Sequence, residues 1–159
     1  MKTNDVLERE EKIISTNRKA KHDFEILQTF EAGIALKGTE VKSLRMGRCS
    51  LQEAYAGFKS PQDDELYIFN MHIKEYEHGG RENHHPTRER KLLVHKHEAI
   101  RLKTKVNEKG LTIIPLAIYF SGPFVKLEMA VARAKRKYDK REDKKKKDMD
   151  KEIRKKFRV

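Results

Sequence analysis

Cysteine occurs once in the 159 residues, at Cys49. A lone thiol forms no internal disulfide and matches no Cys-based metal spacing, so the chain is expected in a reducing compartment. Long apolar runs are missing as well. Nothing approaches the ~20 residues of a membrane-spanning helix, and Met1-Lys2-Thr3-Asn4-Asp5 leads into charge rather than into the apolar stretch of a secretory leader. The expected location is the cytoplasm, with no membrane partner. Internal repeats are absent. So are a nucleophile elbow, a P-loop and a recognisable carboxylate pair, and the seven histidines include no HExxH or Cys/His finger spacing. The reading is therefore of a protein that is not an enzyme, with no metal and no cofactor. Cys49, beside Arg48, reads as a half-buried thiol rather than a nucleophile.

What the chain does have is positive charge: 37 Lys+Arg against 25 Asp+Glu, a net +12, with a sequence pI near 9.7. That balance points to a polyanion. The charge is unevenly placed. Residues 133–159 carry 15 Lys/Arg and 6 Asp/Glu, net +9, leaving 22 against 19, or +3, for residues 1–132. Three parts are expected: a flexible N-terminus over 1–12, a packed body over 13–132, and a basic C-terminal tail over 133–159. Acid-first i,i+4 pairs in the tail (Glu142 with Lys146, Asp143 with Lys147, Asp150 with Arg154, Glu152 with Lys156) each favour helix by a few tenths of a kcal/mol. Its apolar stripe, Met149, Ile153 and Phe157, is too thin to offset ordering entropy. The tail is thus expected to be disordered when free and helical where RNA neutralises its lysines.

The body reads as mainly β within an α+β class. Asn17 is the expected N-cap of a short turn over 18–22. Phe24–Leu27 and Ile34–Leu36 are expected as two short strands bending around Gly33. Glu40–Met46 has helical period, with Thr39 as N-cap and Gly47 just past its end. A hairpin over 53–59 and 66–73 turns at Pro61-Gln62-Asp63-Asp64, and Tyr67, Phe69, Met71 and Ile73 are expected to face the core. Residues 77–90 read as a long exposed loop. Lys96–Lys109 is a helix stopped by Gly110, with Ala99, Leu102 and Val106 buried. A final hairpin joins Leu111–Phe120, apolar on both parities, to the alternating Val125, Leu127, Met129 and Val131 across Ser121-Gly122-Pro123. Pro115 argues against a central position for its strand. The sum is a small antiparallel closed β-barrel of about six strands, of the oligonucleotide-binding type, with two or three helices.

Cations at Lys42, Arg45 and Arg48 form a helical stripe that suits phosphates, or simply a solvated face. His84-His85-Pro86-Thr87-Arg88-Glu89-Arg90-Lys91 gathers cations and imidazoles on a loop, which suits an irregular RNA surface. Tyr67, Phe69, Tyr119 and Phe120 are base-stacking candidates, with core packing the favoured alternative.

Several ordered words resemble the tmRNA-binding SmpB (SsrA-binding) family: Asn17-Arg18-Lys19-Ala20, Phe30-Glu31-Ala32-Gly33-Ile34, Glu40-Val41-Lys42-Ser43-Leu44-Arg45, Pro86-Thr87-Arg88, Arg90-Lys91-Leu92-Leu93, Val125-Lys126 and Tyr138-Asp139-Lys140-Arg141. They span about residues 13 to 145. The resemblance implies a body that binds the tRNA-like domain of tmRNA, supports its aminoacylation and carries it to the A site of stalled ribosomes. The tail would enter the empty mRNA channel near the decoding centre. Partners implied are tmRNA and the stalled ribosome, with EF-Tu and alanyl-tRNA synthetase reached through tmRNA. By motif, the RNA-binding residues are Asn17, Arg18, Lys19, Glu31, Lys42, Arg45, Arg88, Arg90, Lys91, Leu93, His95 and Lys126. The ribosome-binding tail residues are Lys135, Arg136, Tyr138, Asp139, Lys140 and Arg141. Two positions depart from the family pattern: Ala134 stands where glycine is usual, and His95 where some members have asparagine. The alternative function is a general single-stranded RNA chaperone.

Overall fold

The computed structural model describes residues 11–136, 141 and 144–149. Among these residues nine strands form, in chain order β1 (Glu11–Thr16), β2 (Phe24–Ile34), β3 (Cys49–Ser50), β4 (Tyr55–Phe58), β5 (Leu66–Phe69), β6 (His72–Ile73), β7 (Arg90–Leu93), β8 (Thr112–Ser121) and β9 (Phe124–Ala134). Among them lie α1 (Ala20–Asp23), α2 (Gly38–Arg45), a 3-10 turn at Gly80–Glu82 and α3 (Lys96–Lys109). The main sheet runs β1-β8-β4-β5-β7-β2-β9, and β8 also pairs with β9. Six strands, β8-β4-β5-β7-β2-β9, therefore close on themselves, and every pairing is antiparallel. This is the closed mainly-β body expected, with β1 added outside the ring and β3-β6 as a separate short pair.

The ring interior is filled by Ala32, Leu66, Ile68, Leu92, Ile113, Ile118, Leu127, Met129 and Val131, with Leu102 of α3 among them. A second, smaller cluster explains why β8 and β9 are apolar on both parities. Ile114, Ala130 and Ala132 pack against Ala20 of α1, and the small alanines let the helix approach the sheet closely. One parity of each strand thus faces the ring interior and the other lies beneath α1.

Several local expectations change. Asn17 does not cap α1; Lys19 occupies that position. The side-chain amide nitrogen of Asn17 instead donates to the Pro115 carbonyl at 3.0 Å, and the Asn17 backbone N–H donates to the Leu116 carbonyl at 2.8 Å. These bonds fall where β8 bulges between Pro115 and Ala117, which is how a strand between β1 and β9 tolerates a residue without an N–H. The expected two strands around Gly33 are one, β2, paired through Gly33 and bulged instead between Ile26 and Gln28. The helix expected from Glu40 starts at Gly38 with Lys37, not Thr39, at its N-cap. The Glu40 carboxylate accepts from the Lys37 N–H at 2.8 Å. Gly47 and Gly110 follow α2 and α3 with φ of +72° and +60°, the left-handed conformation that closes a helix.

On β5 the parity is inverted. Leu66 and Ile68 are buried, and Tyr67 and Phe69 face outward. Asn70 has a φ of +59°, which breaks the alternation, so Met71 and Ile73 return to the core as expected. Among the described residues, strand pairing starts at Glu11, where Glu11 to Ile13 are exposed, and β9 runs to Ala134. Residues 144–149 are helical and exposed.

Candidate nucleic-acid interface

One outer face is built by four strands in register. Tyr119 of β8 pairs with Lys126 of β9, Lys126 with Gly33 of β2, and Gly33 with Leu93 of β7. Ala32 and Ile34 point inward, so Gly33 contributes bare backbone to the outside. The opening lies beside Leu93, which is 53% exposed. A Cβ at Gly33 would sit 3.2 Å from the Leu93 Cβ. Glu31, two residues along the same face of β2, accepts from Lys126 Nζ at 2.7 Å and from the Tyr119 hydroxyl. The Lys126 and Tyr119 hydrogen bonds hold the Glu31 carboxyl below its ordinary value. Burial and the Glu31 bond push the Tyr119 phenol well up. The carboxylate has about four acceptor sites and uses two here, so it keeps capacity toward a base or ribose hydroxyl. His95, at the N-cap of α3, stacks on His97 with ring centroids 5.5 Å apart, and both are exposed.

Helix α2 presents a second charged surface. Lys42 and Arg45 are exposed, and the Lys42 ammonium lies 5.3 Å from the Tyr76 ring centroid. Arg45 has no ion pair among the described residues. The expected third cation of the stripe, Arg48, lies past the helix and pairs with Glu77 at 2.7 Å, so the stripe is shorter than its spacing implied. Arg18 and Lys19 are exposed on a turn that lines a cleft with Cys49, Ser50 and Gln52. That cleft sets them beside the segment leaving α2.

A buried ionic group joins the two surfaces. Glu40, fully buried in α2, accepts from Arg88 at 2.5 Å and from Arg90 Nε. Arg90 also donates to the carbonyls of Met71 at 2.7 Å and Pro86 at 3.0 Å. Burial raises the Glu40 carboxyl, but the Arg88 bond, the Lys37 N–H and Arg90 outweigh it, and the net direction is down. Burial likewise pulls Arg90 below its usual value, though a guanidinium so paired stays charged.

These facts correct the expectation for Arg90. It is fully buried and holds α2, which carries Lys42 and Arg45, against β7, which carries Lys91 and Leu93. Arg88 is half turned inward by the same carboxylate. Lys91 is exposed but pairs with Glu65 at 3.1 Å. His84, expected on an exposed loop, is buried, with its ring nitrogens 2.9 Å from Thr39 Oγ1 and from the Ile73 carbonyl. Sequence reasoning missed the role of Glu40, and it read His84 as a loop contact and Tyr119 as a stacking or core ring rather than as the buried link to Thr39 and the partner of Glu31. The available signal was chemical: an acid inside the basic word Glu40–Arg45 and two arginines spaced i,i+2 at the entry to β7, Arg88 and Arg90, need one another if either turns inward.

Of the expected tail residues, Lys135 is anchored to the body. Its backbone N–H donates to the Asp23 carbonyl at 2.9 Å and its ammonium to the Lys21 carbonyl at 3.0 Å. Arg136 and Arg141 are exposed, while Tyr138, Asp139 and Lys140 lie outside the described residues. Ala134 ends β9 paired with Phe24, a position that demands no glycine.

A family model described as SmpB protein matches residues 14–159. This chain belongs to the SmpB family. It is 53% identical over 149 residues to the SsrA-binding protein of Carboxydothermus hydrogenoformans, covering 94% of this chain and 98% of that protein. It is 52% identical over 132 residues to that of Pelotomaculum thermopropionicum, covering 83% and 84%. A chain of a solved structure described as "tmRNA-SmpB: a journey to the center of the bacterial ribosome" superposes with a TM-score of 0.65 at 51% identity, over 80% of this chain and 92% of that one. The words that carried the resemblance include Glu31, Gly33, Leu93 and Lys126, which this structure brings to one outer face. No helix among the described residues is long and apolar enough to cross a membrane.

Proposed function

We propose that this chain binds the tRNA-like domain of tmRNA, supports its aminoacylation and delivers it to the A site of stalled ribosomes. The observation that carries this reading is the convergence of Glu31, Leu93 and Lys126 from β2, β7 and β9 onto one outer face. It joins a family whose relatives are named for SsrA binding and a structural neighbour described with tmRNA and the ribosome. Exposed Arg18, Lys19, Lys42 and Arg45 then supply phosphate contacts, and Glu31 and Leu93 supply shape and ribose or base contact. The tail, with its net +9 over 133–159, enters the vacated mRNA channel through Arg136, Tyr138, Asp139, Lys140 and Arg141. As a helix from Asp139 to Val159 it would reach about 30 Å. EF-Tu and alanyl-tRNA synthetase are engaged through tmRNA, and the site of action is the cytoplasm.

Recovering the RNA that copurifies with the protein tests the reading: tmRNA supports it, and a mixture of unstructured RNAs sinks it. That second outcome would favour a general single-stranded RNA chaperone. The specific observation for the chaperone is the outward stack of Tyr55 on Phe69, ring centroids 5.3 Å apart, a base-stacking geometry.

A further inference from the structure

A pocket between α2 and the segment before and after Gly79 is lined by Lys37, Lys42, Tyr76, His78 and Glu82. Its wall is built rather than loose. The Asn83 side chain accepts from the Tyr76 N–H at 3.1 Å and donates to the Tyr76 carbonyl at 2.6 Å. Gly79 packs so closely on it that a Cβ there would lie 2.8 Å from Asn83 Cγ. His84, buried one residue on, ties the same segment to Thr39 at the start of α2. What reads in sequence as a flexible histidine-rich loop is therefore a clamped wall facing two lysines.

The chemistry of that wall is specific. Tyr76 offers a half-exposed aromatic face, His78 stands edge-on to it with centroids 5.5 Å apart, and Lys42 lies over the ring. Lys37 is exposed across the pocket, and Glu82 sets one acid on the rim. A lone phosphate needs no aromatic wall, and an apolar ligand gains nothing from two ammonium groups. An aromatic face, adjacent cations and a single rim acceptor together match one nucleotide.

We infer that this pocket holds one unpaired nucleotide of the bound RNA, its base stacked on Tyr76, its phosphate against Lys37 and Lys42, and its ribose or exocyclic amine on Glu82. The inference rests on the RNA-binding reading above and names a contact that the family words do not. On binding, the base takes the place of the Lys42 ammonium over the ring, and the long lysine stem swings that charge to the phosphate.

The test uses the full chain and a transcript of the tRNA-like domain of tmRNA. Tyr76→Ala should weaken binding about 5- to 150-fold, equivalent to about 1–3 kcal/mol for one stacked base. Tyr76→Phe, which keeps the ring, should stay within about twofold. Ultraviolet crosslinking of wild type to a 4-thiouridine-substituted transcript should place an adduct on the peptide containing Tyr76. Wild-type binding with Tyr76→Ala unchanged, equal losses in the Phe and Ala variants, or crosslinks confined to other peptides would overturn the pocket while leaving the RNA reading intact. A wild type that ignores the transcript would overturn both. If Tyr76→Ala does not fold, the Phe variant and the crosslink decide.

Discussion

Glu40 and Arg90 are 50 residues apart in sequence and bonded to each other inside the protein, the Arg90 Nε donating to Glu40 Oε2, with neither side chain exposed. This pair fixes how α2 sits on β7, and so how the Lys42–Arg45 surface lies relative to Leu93. Removing the Glu40 charge leaves buried Arg90 with only the Met71 and Pro86 carbonyls and no counter-ion, which costs about 3–5 kcal/mol. Glu40→Gln should lose about that much in urea unfolding at neutral pH, whereas Glu40→Gln combined with Arg90→Met should recover part of it. An additive double variant would mean that the pair is not coupled.

The same carboxylate gives a pH dependence with a definite sign. The folded pKa values of Glu40 and Glu31 both lie below the ordinary 4.5. Their stabilisation is therefore present above about pH 4.5 and is lost as pH falls through the lower folded values. The urea midpoint of wild type should drop more steeply than that of Glu40→Gln between about pH 5 and pH 3. Parallel curves would show that folding does not lower the Glu40 pKa.

Arg45 belongs to a different category from Arg90, and the two can be separated experimentally. Arg45 is exposed, so Arg45→Ala should leave stability within about 0.5 kcal/mol. It should weaken binding of the tRNA-like-domain transcript and lower the slope of log K against log salt by about 1. Arg90→Ala should instead lose stability first. If Arg45→Ala binds as wild type at every salt concentration, α2 is not a phosphate surface.

The contrast between these arginines shows what the sequence could carry. Hydrophobic alternation and turn residues located the final hairpin and α3, because Leu127, Met129 and Val131 alternate and Gly110 stops a helix wherever such a helix packs. Facing was less legible. A single φ of +59° at Asn70 inverted Tyr67 and Phe69, since one residue of slip turns every side chain to the other face. Long-range polar pairing was least legible of all. Arg90 reads as a loop cation until Glu40 is known to lie beside it, and Asn17 reads as a helix cap until the Pro115 carbonyl comes within its reach.

The tail boundary makes a further prediction. β9 runs to Ala134, with Arg133 beside Glu25 at 3.8 Å, and Lys135 is bonded to α1. Truncation after residue 132 should therefore lower stability as well as abolish tagging on stalled ribosomes. Truncation after Arg136 should abolish tagging while leaving the urea midpoint and transcript affinity near wild type. A chain ending at Arg136 that still tags normally would remove the channel-sensing role from the tail.

Gly33 tests the outer face itself. Its backbone lies between Lys126 and Leu93 in register, and an added Cβ would come within 3.2 Å of the Leu93 Cβ, so β7 or the Leu93 side chain must give by a few tenths of an ångström. Alanine also restricts the unfolded chain, which favours folding by roughly 0.4–1 kcal/mol and offsets part of the crowding. Gly33→Ala should therefore change stability by no more than about 1 kcal/mol. It should also shift the Leu93 methyl resonances and reduce affinity for the tRNA-like-domain transcript, and Gly33→Val should do both more strongly. Undiminished affinity in a Gly33→Val protein with displaced Leu93 resonances would show that RNA does not read this face, and would move the interface to the cations of α2 and the Asn17–Lys19 turn.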